Sequence, residues 1–248
     1  MKKKPQIPTL ILILLVSSIV IYGIQIILFH RVGETEFYFL QDMAFLPISV
    51  LLVTLGLNTV IVRQEQIEKK EKVSVVINEF FAETGTELVM ALRLHIANLD
   101  GLAPRLQLGG EWQDRDFSAS IDAIGKYSFH TALVEEDLYS LRETLTQRKD
   151  HILRLFENAN LMEQDRFTGM LWAVYHVYDE LRSRDSLSNL PATDIAHLNL
   201  DIQRAFQILL IEWIESMRIL KKKYPYLYSL AVRKCPFSGG TLDVTIKE

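Results

Sequence analysis

The sequence predicts an all-α membrane protein: a two-helix transmembrane hairpin whose second helix extends into a cytoplasmic helical bundle, with one small two-stranded β element as the exception. Three observations predict it. Two long apolar stretches lie near the amino terminus, at residues 7–29 and 39–62. The rest of the chain repeats apolar side chains every three or four residues, the period of an amphipathic helix. Lysine and arginine flank the apolar pair on its outer sides and are scarce between the two stretches.

A helix needs about 20 mostly apolar residues to cross the hydrocarbon core, and ILILLVSSIVIYGIQIILF holds no charged residue from Ile11 to Phe29. This run is longer than the core of a secretory signal and no small-x-small cleavage pattern follows it, so it reads as an uncleaved anchor. The second stretch, FLQDMAFLPISVLLVTLGLNTVIV, is interrupted only by Gln41 and Asp42 near its start. Helices over about 7–30 and 38–62 then make a hairpin domain of residues 1–62. Lys2, Lys3 and Lys4 precede it and Arg63, Lys69, Lys70 and Lys72 follow, whereas the connecting loop sets Arg31 against Glu34 and Glu36. Both termini are therefore expected in the cytoplasm, on a cytoplasmic or plasma membrane. The single cysteine, Cys235, suits a reducing compartment and excludes an internal disulfide.

From Arg63 the chain has no Gly or Pro until Gly85, and RQEQIEKKEK consists of good helix formers. Residues 63–100 are expected to form a helical stalk with a stripe of Val73, Ile77, Phe80, Thr84, Leu88, Ala91 and His95, ending near Asp100 ahead of Gly101 and Pro104. Residues 101–248 are expected to hold the bundle and a C-terminal tail. After a loop at 101–115 come a short helix at 116–127 and two longer helices, one with Leu138, Leu141, Leu145, Ile152, Leu155 and Phe156 on a face, the other with Phe167, Met170, Leu171, Val174, Tyr178 and Leu181. RSRDSLSNLP breaks the chain, Thr193 or Asp194 offers the next cap, and Ile195, Leu198, Ile202, Phe206, Leu209, Trp213, Met217 and Leu220 mark the central helix. Charges at Arg204, Glu212, Glu215 and Arg218 exclude this helix as a third span. Lys221, Lys222 and Lys223 close it, where cations oppose the negative end of the dipole. Pro225 begins a last short helix. The alternation of Leu242, Val244 and Ile246 suggests a strand, with RLQL at 105–108 as its candidate partner within the chain and strand addition to another chain as the second possibility.

Chemistry is sparsely advertised. There is no GxxxxGK[ST] and no GxGxxG between a strand and a helix, so P-loop nucleotide hydrolysis is not expected. One cysteine with scattered histidines offers no zinc-ligand spacing, and no cofactor is expected. The nearest metal or acid/base candidates are His176, Asp179 and Glu180 on one helix; His197 and Asp201 repeat the i, i+4 spacing. Such pairs commonly serve helix surfaces. His95, on the apolar stripe, reads as a hydrogen-bonded core or interface histidine, and Trp172 and Trp213 as core. A net charge of −4 with dispersed cations gives no reason to expect nucleic acid as a partner.

In the membrane, an ionisable group is expensive unless paired or facing water. Asp42 is either a cap on a helix beginning near Met43 or a member of an outer ring in an oligomer. Gln25 lies at matching depth and is expected to bond Asp42 across the hairpin, and Pro47 is expected to disturb the second helix.

The function expected from these parts is that of a membrane-anchored, non-enzymatic cytoplasmic interaction or assembly module. Homo-oligomerisation is expected because Val73, Ile77, Phe80 and Phe81 present more apolar surface than a solitary helix leaves in water. Its partners are then the lipid bilayer, copies of itself and a cytoplasmic protein. The alternative is a subunit of an oligomeric cation channel, with Gln25, Asp42, Pro47 and Asn58 as the pore candidates.

Overall fold

The computed structural model of the chain describes residues 7–29, 32–133 and 135–238, and among them the protein is all-α. The lysines at 2–4 and the expected strand at 242–246 lie outside the described residues. Two compact units divide the chain, Met1–Ile67 and Glu68–Glu248.

The first unit holds α1 (Ile7–Phe29) and most of α2 (Val32–Phe80). The second helix begins at Val32, ahead of the expected start at 38, because GETEFYFL carries on as helix with Glu34 in its favourable first turn. Asp42 is consequently ten residues inside the helix and does not cap it. The helix also continues through Pro47, whose missing N–H leaves the Met43 carbonyl without its i+4 donor. Among residues with described side chains, Val16–Leu28 is an apolar helical run, and Glu36–Arg93 contains a window long and apolar enough to cross a membrane, none of it buried. Ile19 at 72% exposure and Leu40 at 69% are typical of this surface.

In the second unit the helical chain does not run smoothly to Asp100. After Phe80 it widens into a π-helical turn, Phe81–Gly85, resumes as α3 (Thr86–Arg93) and then breaks into two 3-10 turns, Leu99–Gly101 and Ala103–Arg105. The extra residue in the π turn sends Phe80 and Phe81 inward together, both fully buried. Gly85 makes this possible: a Cβ there would stand 2.7 Å from Phe80 Cε1 and 2.9 Å from Phe81 Cε1.

The remaining helices are α4 (Asp114–Lys126), α5 (Glu135–Phe156), the single turn α6 (Ala159–Met162), α7 (Asp165–Arg182), α8 (Ala192–Lys223) and α9 (Pro225–Arg233). As its stripe predicts, α8 is the axis of the bundle. It packs against α3, α4, α7 and α9, with Leu198, Ile202, Phe206, Leu209, Trp213 and Met217 buried in register. Its cap differs from expectation: Pro191 holds the N-cap position, and Asp194 turns instead to Arg184. Trp172 also departs from expectation. It is 56% exposed, stacked at 4.5 Å on Phe156 outside the core. The lysines at 221–223 end α8 as expected, and Lys221 Nζ donates to the carbonyls of Gly110 (2.6 Å) and Trp112.

RLQL does not form a strand. Arg105, Leu106 and Gln107 donate their N–H groups to the carbonyls of Leu102 and Ala103, so a local turn consumes the bonds a ladder would need. Leu106 and Leu108 point into the core from this turn, and the thiol of buried Cys235 lies 3.5 Å from the Leu106 carbonyl. The one β-type pairing among the described residues is a bridge between Ile96 and Thr131.

Candidate functional site

The polar residues of the first unit do not form one constellation. Asp42 accepts a hydrogen bond from the Tyr22 hydroxyl at 2.9 Å, and no hydrogen bond joins it to Gln25. Tyr22 lies about one turn from Gln25 on α1, so α1 does supply the partner, from a different residue. At about 100° per residue, Asp42 and Asn58 are rotated about 160° apart on α2, and Asp42 and Pro47 about 140°. No single helix face carries all three.

The stalk stripe is covered by its own chain. Val73, Phe80 and Phe81 are buried and Ile77 is half-buried against the same core. Phe80 packs edge-on against Phe81 at 5.0 Å and Phe167 at 5.5 Å. Below them, Thr84 Oγ1 meets His151 Nδ1 at 2.6 Å. The expected motive for self-association therefore falls, since the bundle satisfies the apolar surface on which it rested.

Two features of the second unit have the geometry of a site. The first is an apolar cleft of about 460 Å³ where the end of α2 meets α8 and α9. Phe81, Trp213, Met217 and Leu220 are among its walls, with Asn78, Glu79 and Lys234 supplying polar groups. Both amide atoms of Asn78 and Nε1 of Trp213 are buried there without hydrogen-bond partners among the described residues.

The second is a candidate metal centre between α7 and α8. His176 and Glu180 are one turn apart on α7; His197 and Asp201 are one turn apart on α8. The two helices pack so that the pairs face each other, and one donor atom from each residue lies within 4.8 Å of all the others. His176 Nε2 and His197 Nε2 each stand 3.2 Å from Asp201 Oδ2, and 3.8 and 3.7 Å from Glu180 Oε1. The imidazoles are about half-exposed, whereas the Asp201 side chain is 4% exposed. Although both rings are close to it, Oδ2 of Asp201 has no hydrogen-bond donor among the described residues.

Arg184 holds Glu180 from behind. Arg184 Nη1 donates to Glu180 Oε2 at 2.8 Å and to the Glu180 carbonyl at 2.5 Å. Its other edge grips Asp194, Nε to Oδ2 at 2.8 Å and Nη2 to Oδ1 at 2.5 Å, which ties the end of α7 to the start of α8. The bond from Arg184 keeps Glu180 below the usual carboxylate range, and the charge of Arg184 and both nearby histidines act in the same direction. Asp194 is lowered for the same first reason. Asp201 Oδ1 lies 3.5 Å from Nη1 of the largely exposed Arg204. Glu180 thus spends one oxygen on Arg184 and turns the other towards the histidines.

Of the sequence candidates, His176 and Glu180 belong to this group and Asp179 does not; Asp179 pairs with Arg182 at 3.4 Å. The spacing of His197 and Asp201 was visible in the sequence, but nothing there placed it opposite His176. His95 is buried in the core, as its place on the stripe suggests, but its Nδ1 lacks the expected hydrogen-bond partner among the described residues.

Two family models match the chain: one described as the C-terminal helical domain of the uncharacterized protein MJ1433, over residues 69–233, and one as the N-terminal helical domain of MJ1433, over residues 2–61. The uncharacterized protein MJ1433 of Methanocaldococcus jannaschii is 36% identical over 231 residues, covering 93% of each chain. No solved structure matches.

Proposed function

The chain belongs to the MJ1433 family, and we propose that its α-helical second unit is a membrane-tethered, non-enzymatic interaction module held at the cytoplasmic face by the hairpin of α1 and α2. The observation that carries this reading is the exposure of the apolar window in Glu36–Arg93, none of which is buried. An apolar surface of that extent and continuity is covered by lipid or by another protein. The excess of lysine and arginine in the flanks supports placing them on the cytoplasmic side. The cleft beside Trp213 gives the module a concave apolar surface for a partner.

A pore made by several copies is less well supported. Asp42 has a partner in Tyr22 of its own hairpin, and Asp42, Pro47 and Asn58 do not share a helix face. The covered stalk stripe also removes the reason to gather copies into a ring.

The test is fractionation followed by a subunit count. The full chain is expected to remain with membranes through alkaline and high-salt washes, to leave only with detergent, and to enter nanodiscs as a monomer or dimer by native mass spectrometry. Release by alkaline wash would sink the anchor. A ring of about four or more subunits would return the channel reading, because only that many hairpins enclose a path.

A further inference from the structure

We propose that His176, Glu180, His197 and Asp201 bind one divalent transition-metal ion of the zinc class. Four arguments carry this assignment, and none depends on the membrane reading.

The donor set suits such an ion. Imidazole nitrogen with carboxylate oxygen is a ligand combination that zinc accepts, and the two carboxylates balance its charge. The spacing is also right. Bonds of about 2.0–2.2 Å in a tetrahedron give ligand-to-ligand edges of about 3.4 Å; the four imidazole–carboxylate edges lie between 3.2 and 3.8 Å, and the other two are within 4.8 Å.

The unsatisfied carboxylate oxygen is the most discriminating observation. Were this only a surface ion-pair cluster, protonated histidines would aim their N–H groups at the carboxylates. Two rings approach Asp201 Oδ2 to 3.2 Å, yet neither is aligned to donate, and a buried oxygen is left without a bond. A buried carboxylate oxygen that lies beside two imidazole nitrogens yet keeps no hydrogen bond among the described residues is an oxygen free to take a cation.

The surroundings complete the site. Outer-shell groups that fix a ligand's orientation are a regular part of metal centres, and Arg184 holds the far oxygen of Glu180 by a hydrogen bond, while the charge of Arg204 lies 3.5 Å from the far oxygen of Asp201. With the imidazoles half-exposed, an ion reaches the site without opening the core.

Full-length protein in detergent, stripped with a chelator and dialysed, is titrated with Zn²⁺ by calorimetry, with Co²⁺ as a spectroscopic substitute. One tight Zn²⁺ per chain is expected, together with visible d–d absorption from Co²⁺ and a rise in Tm on adding Zn²⁺. His176→Ala combined with His197→Ala should weaken binding at least 100-fold and abolish the Tm rise, with an unchanged far-UV circular dichroism spectrum. Should that variant misfold, Glu180→Gln serves instead and should weaken binding at least 10-fold. Arg184→Met, which touches no ion, should weaken it about 10- to 100-fold by freeing Glu180. His130→Ala, outside the cluster, should leave it unchanged. If wild type binds Zn²⁺ no more tightly than the double variant, or His130→Ala removes the binding, the site is not where we place it.

Discussion

His95 shows how burial turns one side chain into a pH sensor for the whole bundle. It is 2% exposed with Nδ1 unpartnered among the described residues, and burial pushes its pKa below the ordinary histidine value against the opposing pull of Asp137. A base with a lowered folded-state pKa binds its proton more readily when unfolded. Its contribution to stability is therefore complete above about 6.5 and lost as pH falls from there towards the folded-state value. His95→Leu is expected to flatten the decline of Tm between pH 7 and pH 5; an identical slope in the variant would show that another group drives it. The burial of His95 was legible from its place at the end of the stripe. The His176 and His197 group was not. Each half is a common i, i+4 pair, and their meeting depends on how α7 and α8 are rotated and on the Arg184–Asp194 clamp across the break between them, which no local pattern encodes.

The π turn at Phe81–Gly85 is the element that sequence periodicity missed most clearly. A stripe at helical spacing ran through it, and a one-residue insertion changes phase without changing composition. Its purpose is readable afterwards: with the inserted residue, Phe80 and Phe81 both reach the core beside Phe167. Gly85→Ala is expected to destabilise the bundle by about 1–3 kcal/mol, since the new methyl group must displace two buried rings. Urea unfolding measures this, and a change of less than a few tenths of a kcal/mol would mean that the rings yield freely. By contrast α8, with seven turns of consistent stripe and no interruption, was legible nearly residue by residue. Its cap was not, because Asp194 had a stronger tertiary partner in Arg184 than its own helix terminus.

The division at Ile67–Glu68 separates two kinds of surface within one continuous helix. Before it the apolar side chains are exposed, and beyond it Val73, Phe80 and Phe81 are buried. Composition made this contrast visible, since an apolar run gives way to RQEQIEKKEK and then to a periodic stripe. What composition hid was which surface would cover that stripe. The second unit encloses its own core, so a fragment of residues 68–248 is expected to be soluble and monomeric and to unfold in one cooperative step by circular dichroism. Aggregation or a non-cooperative transition would show that the core needs the preceding residues.

Cys235 is 1% exposed, held against the Leu106 carbonyl, and the sequence has no other cysteine. The folded protein is therefore nearly silent towards thiol reagents. A cysteine placed at any exposed position can carry a fluorophore, a spin label or a membrane-impermeant tag on an unlabelled background, so sidedness and distances become measurable without first engineering away a native reactive group.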